Sequence, residues 1–297
     1  MEKIVVLCGG NSNEREISLQ SGDAVYRALL ELGFKTEIFD PAKNDLSYLK
    51  NFAKAFICLH GSDGEDGKIQ EYLENNNIAF NGSRSQASKL AMDKFLTKKK
   101  WDTNGINNPN YILLNKDISF KDVVKEIGAP FVVKPSNSGS SIGISIVHKE
   151  EDFIESRDHA LKIDPISFAE EFVKGREFTL SIIGNEELEI VEIKPVNGFY
   201  DYHAKYISND THFICPANIE ETVSRQSKEL CRKAFKALGC EDWGRVDFMI
   251  KETTGEIYMI EVNTIPGMTS HSLLPMASMN KGNSFKDTVM KIYQLIK

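Results

Sequence analysis

The 297-residue sequence contains few cysteines, and no two of them are spaced as a C-x-x-C pair. Their odd number and wide spacing do not indicate a zinc site or a disulfide framework. The five are Cys8, Cys58, Cys215, Cys231 and Cys240. A reducing compartment fits this usage best, and the short apolar run near the start predicts a buried strand and not a signal peptide. We therefore expect a cytoplasmic protein.

The sequence also lacks the features that indicate a membrane or nucleic-acid partner. No apolar run approaches the roughly 18–20 residues that a membrane helix needs. The 36 lysines and arginines are outnumbered by 43 acidic residues, which gives a formal net charge of −7. A broad nucleic-acid interface needs a basic face. Because 41% of the residues are hydrophobic and 27% are charged, a globular chain that binds neither partner is expected.

Two common nucleotide-binding motifs are missing. The sequence has no G-x-x-x-x-G-K-[ST] motif, and no G-x-G-x-x-G motif follows the first predicted strand. Neither a Walker site nor a standard dinucleotide site is therefore supported.

The first eighty residues alternate between strand and helix patterns. Apolar runs predict strands at residues 3–8, 36–39 and 55–59, and helical spacing of apolar residues predicts a helix over 16–32. This alternation is typical of a parallel sheet covered by helices, so the fold class is α/β. Asn81-Gly82 is a turn signal and a candidate boundary. Beyond residue 166 the pattern becomes rich in strands.

Two predicted strands near the C-terminus carry polar residues that face each other. Residues 253–255 predict a three-residue hairpin loop with a left-handed glycine at its end, so pairing is symmetric about residue 254. Asp247 then faces Glu261, and Arg245 faces Asn263, on one side of the sheet. The other side is filled by Val246, Phe248, Ile260 and Val262.

The paired carboxylates Asp247 and Glu261 repel each other unless a cation lies between them. Two carboxylates and the Asn263 amide form an oxygen-only set that suits Mg²⁺ or Mn²⁺ better than zinc. The alternative is a solvated polar face on which Arg245 forms an ordinary salt bridge, and the hairpin alone leaves both open.

Three loops are further candidate sites. Small residues at 136–141 expose N–H groups to phosphate oxygens, and Lys134 precedes them on a strand. Residues 9–16 and 60–67 follow the carboxyl ends of strands, where open parallel sheets bind ligands. There Glu14 could pair with an ammonium group and His60 could orient it. The alternatives are a plain surface turn, a carboxylate at a helix N-terminus and a structural histidine.

Taken together, these motifs resemble the D-alanine–D-alanine ligases of the ATP-grasp superfamily. The resemblance runs collinearly from about Lys3 to the last helix, and the ordered set is far more specific than any one motif. The matching stretches are Gly9-Gly10 with Glu14-Arg15-Glu16-Ile17-Ser18, Leu59-His60-Gly61 with Gly64-Glu65-Asp66-Gly67, Met92-Asp93-Lys94, Lys134-Pro135-Ser136 with Gly139-Ser140-Ser141, Tyr200-Asp201-Tyr202 with Ala204-Lys205-Tyr206, Gly244-Arg245 with Asp247, and Glu261 with Asn263-Thr264 and Pro266-Gly267-Met268-Thr269-Ser270-His271-Ser272-Leu273.

The resemblance implies a three-lobed ATP-grasp architecture. Residues 1–82 would form an N-terminal substrate-binding domain with a parallel sheet, and residues 83–174 and 175–297 two α+β lobes that hold ATP between them. It implies ATP as a substrate and two Mg²⁺ or Mn²⁺ ions bound by Asp247, Glu261 and Asn263. The implied nucleotide contacts are Lys94, Lys134, Ser140, Ser141, Glu170, Glu171, Phe172, Val173, Glu177 and Lys205.

The implied reaction is ATP-dependent ligation of two D-alanines through an acyl phosphate, for peptidoglycan precursor synthesis. Glu14 and His60 would hold the first ammonium group. Arg245 and the Gly267 N–H would stabilise the oxyanion. Ser272 and the Leu273 N–H would bind the second carboxylate. The long irregular stretch 195–216 would form a lid, from which Lys205 would reach a phosphate and Tyr206 would hydrogen-bond Ser140, itself linked to Glu14.

The resemblance leaves alternatives open. In this family a tyrosine at the position of Tyr206 accompanies dipeptide synthesis, which counts against D-lactate but does not decide against D-serine. A nucleotide-binding module without catalysis is less consistent with intact Arg245, Asp247 and Glu261. A homodimer is expected because family members are commonly dimers.

Overall fold

The computed structural model describes residues 3–139, 142–195 and 211–297. It begins with a four-stranded sheet in the order β2-β1-β3-β4, in which every neighbouring pair is parallel. The predicted parallel sheet is therefore confirmed. Its elements are β1 (Lys3–Leu7), α1 (Arg15–Glu31), β2 (Lys35–Phe39), a 3₁₀ helix (Leu46–Asn51), β3 (Lys54–Ile57), α2 (Lys68–Asn75) and β4 (Ala79–Phe80).

A second sheet in the middle of the chain is antiparallel, with the order β5-β8-β6-β7. The strands β6 and β7 on either side of the predicted phosphate loop pair antiparallel, as the predicted hairpin. The elements here are α3 (Ser85–Met92), α4 (Lys94–Thr103), β5 (Tyr111–Leu113), α5 (Phe120–Ile127), β6 (Phe131–Pro135), β7 (Ser145–Val147), α6 (Glu150–Ile163) and β8 (Ser167–Glu171). The sequence patterns did not indicate α6, because only Phe153 and Ala160 of its fourteen residues are buried.

A third, antiparallel sheet has the order β12-β11-β9-β13-β14, with β10 beside β9. Its elements are β9 (Gly175–Ile183), β10 (Glu186–Glu187), β11 (Val191–Lys194), β12 (His212–Ile214), α7 (Glu221–Ala237), β13 (Trp243–Lys251), β14 (Ile257–Asn263), α8 (Leu273–Asn280) and α9 (Phe285–Tyr293). Among the described residues, no helix is long and apolar enough to cross a membrane.

The β13–β14 pair confirms the predicted register at the polar end of the hairpin. Asp247 pairs with Glu261, and Arg245 pairs with Asn263. The pairing shifts by one residue between Asp247 and Phe248. The carboxylates therefore face each other as predicted, but the bulge was not predicted.

The loop end of this hairpin corrects the expectation of a three-residue turn. The Lys251 N–H donates to the Glu256 carbonyl, which leaves four residues, 252–255, in the loop. Gly255 does adopt the predicted left-handed conformation, with φ of +72°. Because of the bulge, Met259 takes the core position expected for Ile260, which is only half-buried. The extra loop residue shifts the strand pairing by one position and the bulge shifts it back. Asp247 therefore still faces Glu261.

Two of the hydrophobic clusters join distant parts of the chain. The largest packs the first sheet, including Leu7, against α8 and α9, including Leu274. A second packs α3 and α4 against α7 and the third sheet, with Trp101 near Phe235. A third, around Phe131, contains only residues between positions 114 and 169 among those described. The central sheet thus has a core of its own, and the division of the chain at residues 82 and 174 stays a prediction.

Candidate active site

Glu14 lies at the start of α1, between two loops that the sequence analysis had singled out separately. Ser12 Oγ accepts a hydrogen bond from the Glu14 N–H at 3.2 Å and donates one to the His60 carbonyl at 2.6 Å. A Cβ atom added to Gly139 would lie 2.8 Å from Glu14 Oε1, and one added to Gly61 would lie 3.4 Å from it. The Glu14 carboxylate is therefore flanked by the loop after β3 and by the loop after β6.

Asp40 fixes Arg15, the residue next to Glu14, and it was not among the site residues predicted from the sequence. Arg15 forms an ion pair with Asp40 at 2.6 Å and donates to the Gly10 carbonyl. The Arg15 guanidinium holds the pKa of Asp40 below its usual range. A Cβ on Gly9 would lie 2.7 Å from the Asp40 carboxylate. The available signal was its position directly after β2, at the same sheet edge as Gly9 and His60.

His60 is buried, and the protein contacts both of its ring nitrogens. Nδ1 lies 3.0 Å from the Ile265 carbonyl, so it donates, and Nε2 accepts from the Ser21 hydroxyl at 3.0 Å. Ser21 Oγ in turn accepts the Met268 N–H at 3.1 Å. Burial lowers the pKa of His60. The ring therefore connects the first sheet to the loop after β14, and its predicted contact with an ammonium group stays a prediction.

Glu65 is a second buried acid beside Glu14, and the sequence analysis gave it no role. Its Oε2 accepts the Gly61 N–H at 3.0 Å, while its buried Oε1 has no hydrogen-bond partner among the described residues. Burial raises the pKa of Glu65 well above its usual value, and the charge of Glu14 raises it further. Burial and the nearby charge of Glu14 therefore both disfavour the charged form of Glu65.

The Met92-Asp93-Lys94 motif fixes a lysine between the 136–141 loop and the hairpin. Asp93 caps α4 by accepting the Leu96 N–H at 2.9 Å, and it also accepts the Ser136 hydroxyl. Lys94 donates to the Ser138 carbonyl at 2.9 Å and lies 3.3 Å from Glu261 Oε2. Lys94 thus joins the predicted phosphate loop to a predicted metal ligand.

Lys134 and Glu170 form an ion pair in the interior, with 2.5 Å between Lys134 Nζ and Glu170 Oε1. The neighbouring Glu171 is held by Lys251 at 2.7 Å and by the Asn110 amide at 3.1 Å. Of the other residues predicted to line the nucleotide, Val173 is buried, and Phe172 and Glu177 are half-buried.

The predicted metal ligands lie together on β13 and β14. Arg245 donates to both oxygens of Asp247, with each contact at 2.9 Å, and Thr179 donates to Asp247 Oδ1 at 2.5 Å. Asn263 Oδ1 accepts the Ile265 N–H at 2.9 Å. Asp247 is thus paired with the cationic side chain of Arg245, and Glu261 is paired with that of Lys94.

This donor set fits a divalent cation that prefers oxygen. The two carboxylates and the amide present only oxygen ligands, which Mg²⁺ and Mn²⁺ prefer. For residues 3–139, 142–195 and 211–297, no group of three or more His, Cys, Asp or Glu side chains is arranged to hold a metal ion. A zinc-type site is therefore not found in the described part of the chain.

Ser272 and Leu273 form the start of α8, next to Gly267. Ser272 Oγ accepts the Thr269 N–H at 3.0 Å. A Cβ added to Gly267 would lie 2.7 Å from Ser272 Oγ. The N-terminus of a helix suits a carboxylate. Gly267, predicted to stabilise the oxyanion, thus lies against Ser272, predicted with Leu273 to bind the second carboxylate.

A family model described as "D-ala D-ala ligase C-terminus" matches residues 101–294. The chain is also 44% identical over 293 residues to a D-alanine–D-alanine ligase of Dechloromonas aromatica, covering 99% of this chain and 97% of that one. The chain belongs to the D-alanine–D-alanine ligase family. A ligase of Acinetobacter baumannii (strain AYE) is 42% identical over 292 residues, covering 98% of this chain and 94% of the other.

Solved structures of the D-alanine–D-alanine ligase family share the fold. The ligase of Bacillus anthracis, complexed with ATP, has a TM-score of 0.87 at 29% identity, covering 99% of this chain and 97% of that one. VanG D-Ala:D-Ser ligase from Enterococcus faecalis has a TM-score of 0.86 at 30% identity, covering 99% of both chains. The three-lobed ATP-grasp fold class predicted from the sequence is confirmed.

Four residues assigned by the family resemblance lie outside the described part of the chain. They are Ser140, Ser141, Lys205 and Tyr206. Their roles stay predictions.

The close approach of Gly139 to Glu14 gives a test of the first substrate subsite. We expect Gly139→Ala to raise the KM for D-alanine by roughly 10-fold, because the added methyl group displaces the Glu14 carboxylate at the flexible end of its side chain. The KM for ATP should rise less than the KM for D-alanine, and the melting temperature should change little. Steady-state kinetics with each substrate varied in turn measures this. An unchanged KM for D-alanine would contradict the assignment of Glu14 to the D-alanine subsite.

Proposed function

We propose that this protein ligates two D-alanines to D-alanyl-D-alanine, with ATP as the co-substrate, and so supplies a dipeptide for peptidoglycan precursor synthesis. The observation that carries the proposal is the meeting of the amino-acid and phosphate sides of the site. Lys94 contacts both Ser138 and Glu261, while Gly139 of the same loop lies against Glu14. Full-length similarity to ligases of this name supports it.

The first step activates an unreactive carboxylate. An oxygen of the first D-alanine attacks the γ-phosphorus of ATP, the bond to the β-phosphate oxygen breaks, and an acyl phosphate and ADP form. Glu14 holds the ammonium group of this D-alanine, which places its carboxylate toward Gly139 and the phosphate loop. Lys94 and Lys134 neutralise phosphate oxygens. When bound by Asp247, Glu261 and Asn263, Mg²⁺ supplies further neutralisation of the phosphates.

The second step forms the peptide bond. The amine of the second D-alanine, after loss of a proton, attacks the acyl carbon, and phosphate leaves from the tetrahedral intermediate. Arg245 and the Gly267 N–H stabilise the oxyanion, and one such donor is typically worth roughly 2.7–4 kcal/mol. Ser272 and the Leu273 N–H bind the carboxylate of this second D-alanine. The Asp247 carboxylate fixes the plane of the Arg245 guanidinium through two contacts.

The experiment that tests the function measures phosphate release from ATP and Mg²⁺ with D-alanine, with L-alanine as the control. The product is identified by its mass. We expect release with D-alanine only, together with a dipeptide mass. Bound ATP without phosphate release would contradict the proposed ligation and favour a nucleotide-binding module.

A ligase that takes D-serine as its second substrate is the second candidate. The structural likeness to VanG D-Ala:D-Ser ligase favours this candidate, because the structural match covers 99% of both chains. Mixed assays with D-alanine and D-serine, or with D-alanine and D-lactate, separate the products by mass. We expect D-alanyl-D-alanine to dominate. We also propose a homodimer, which the family resemblance implies, and a cytoplasmic location, which the cysteine usage indicates.

A further inference from the structure

Lys98 is a fully buried lysine that neither the sequence motifs nor the proposed mechanism uses. Its Nζ lies 2.8 Å from Glu170 Oε2, 3.3 Å from Asn108 Oδ1 and 3.2 Å from the Pro109 carbonyl oxygen. The Tyr111 ring lies beneath it at 5.4 Å. Three acceptors therefore surround the ammonium group, and its position is fixed.

Lys98 shares the Glu170 carboxylate with Lys134. Lys134 lies on Oε1 and Lys98 on Oε2, and all three side chains are at least nine-tenths buried. The buried cluster thus contains two ammonium groups and one carboxylate. Asp102 also acts on Lys98, but it is exposed and is engaged by the Asn108 amide and the Tyr111 hydroxyl. An excess positive charge in the interior is costly unless an anion approaches it.

We propose that Lys98 is a positioning residue of the nucleotide site, which binds one oxygen of Glu170 and so leaves the charge of Lys134 available to a phosphate of ATP. The proposal rests on the proposed function, in which Lys134 contacts ATP. Without Lys98, Glu170 would neutralise Lys134 alone and would be free to rotate. Lys98 itself touches neither ATP nor D-alanine.

The protonation of Lys98 gives this role a pH dependence. Burial and the charge of Lys134 together lower the pKa of Lys98 to about 8, although the charge of Glu170 opposes them. Burial also acts to raise the pKa of Glu170. The charges of Lys134 and Lys98 outweigh that effect, so the pKa of Glu170 lies below its usual value. As the pH rises through about 8, Lys98 loses its charge while Glu170 keeps its own. Lys134 is then neutralised by Glu170, and the affinity for nucleotide falls.

The test measures the dissociation constants of Mg-ATP and Mg-ADP by calorimetry between pH 7 and pH 9.5, without D-alanine. We expect Lys98→Met to weaken nucleotide binding on the order of 10-fold at pH 7, as for one charge at a distance of about 10 Å in an effective dielectric of 20. Wild-type affinity should fall through about pH 8 toward that of the variant, whose profile stays level. The KM for D-alanine should not change.

Two further variants separate positioning from folding. Lys100→Met removes an exposed lysine of the same helix and should leave both the affinity and the pH profile unchanged. In a Glu170→Gln background, Lys98→Met should have almost no further effect, because the carboxylate through which it acts is gone.

Equal nucleotide affinity of wild type and Lys98→Met across the pH range would overturn the inference. So would a full effect of Lys98→Met in the Glu170→Gln background. If Lys98→Met does not fold, the wild-type profile decides, and a level affinity through pH 8 overturns the inference. Because nucleotide binding is measured without ligation, a missing ligase activity would contradict the proposed function and leave this test intact.

Discussion

Arg245→Ala is expected to lower kcat by about 10²–10³-fold, the typical effect of removing one oxyanion donor. The KM for ATP should change by a few-fold at most, because the donor acts where charge develops in the transition state. Asp247 holds the guanidinium with two 2.9 Å contacts, and the side chain is only 14% exposed. The arginine is thus fixed before substrate arrives, as an oxyanion donor must be. Steady-state kinetics and calorimetric ATP binding measure the two effects.

Arg232→Ala is the matched control for this prediction. Arg232 also forms an arginine–carboxylate pair, with Glu187, but it lies on α7 away from the site residues. We expect its kcat to stay within two-fold of wild type, as is usual for surface pairs. If Arg245→Ala weakens ATP binding as much as it lowers kcat, Arg245 serves ground-state binding and not the transition state.

Glu261→Gln is expected to lower kcat by at least about 10²-fold and to raise the Mg²⁺ concentration needed for half-maximal activity, because the metal ion that Glu261 would help to hold supplies several kcal/mol of transition-state charge stabilisation. The change keeps the size of the side chain and removes only its charge. It also removes the partner of Lys94, now 3.3 Å from the carboxylate. Activity measured against Mg²⁺ and Mn²⁺ concentration gives the result.

Glu256→Gln controls for charge removal on the same hairpin. Glu256 is exposed at the loop end, where its neighbours are Thr254 and Tyr258. The Mg²⁺ dependence of this variant should match that of wild type. An unchanged Mg²⁺ requirement in Glu261→Gln, together with normal activity, would refute the assignment of Glu261 as a ligand.

The parts of the structure that the sequence predicted best are those set by local periodicity or by short motifs. Apolar runs predicted the strands of the first sheet. The position of one turn glycine, Gly255, predicted that Asp247 and Glu261 face each other. The polar register was correct although the loop is one residue longer than expected. Two unpredicted features, the loop length and the bulge, compensate for each other there.

The parts that the sequence could not predict depend on contacts between distant residues. Lys98 stands in a run of three lysines, of which Lys99 and Lys100 are exposed, and nothing local distinguishes the buried one. His60 is held by Ile265, which is 205 positions away. Asp40 follows an ordinary strand, and only the fold shows that Arg15 meets it. Such pairs leave no periodic pattern in the sequence, because the two partners come into contact only after distant elements of the fold have packed together.

The shared core between the first sheet and the last two helices sets an order for folding during synthesis. The first strands leave the ribosome before most of the chain exists, but α8 and α9 cover part of their apolar surface. Domains generally complete as units when their own residues are available. The core of the central sheet, which among the described residues contains buried side chains between positions 114 and 169, needs no C-terminal helix to be complete. The apolar surface of the first sheet is therefore fully covered only after the C-terminal helices have been synthesised.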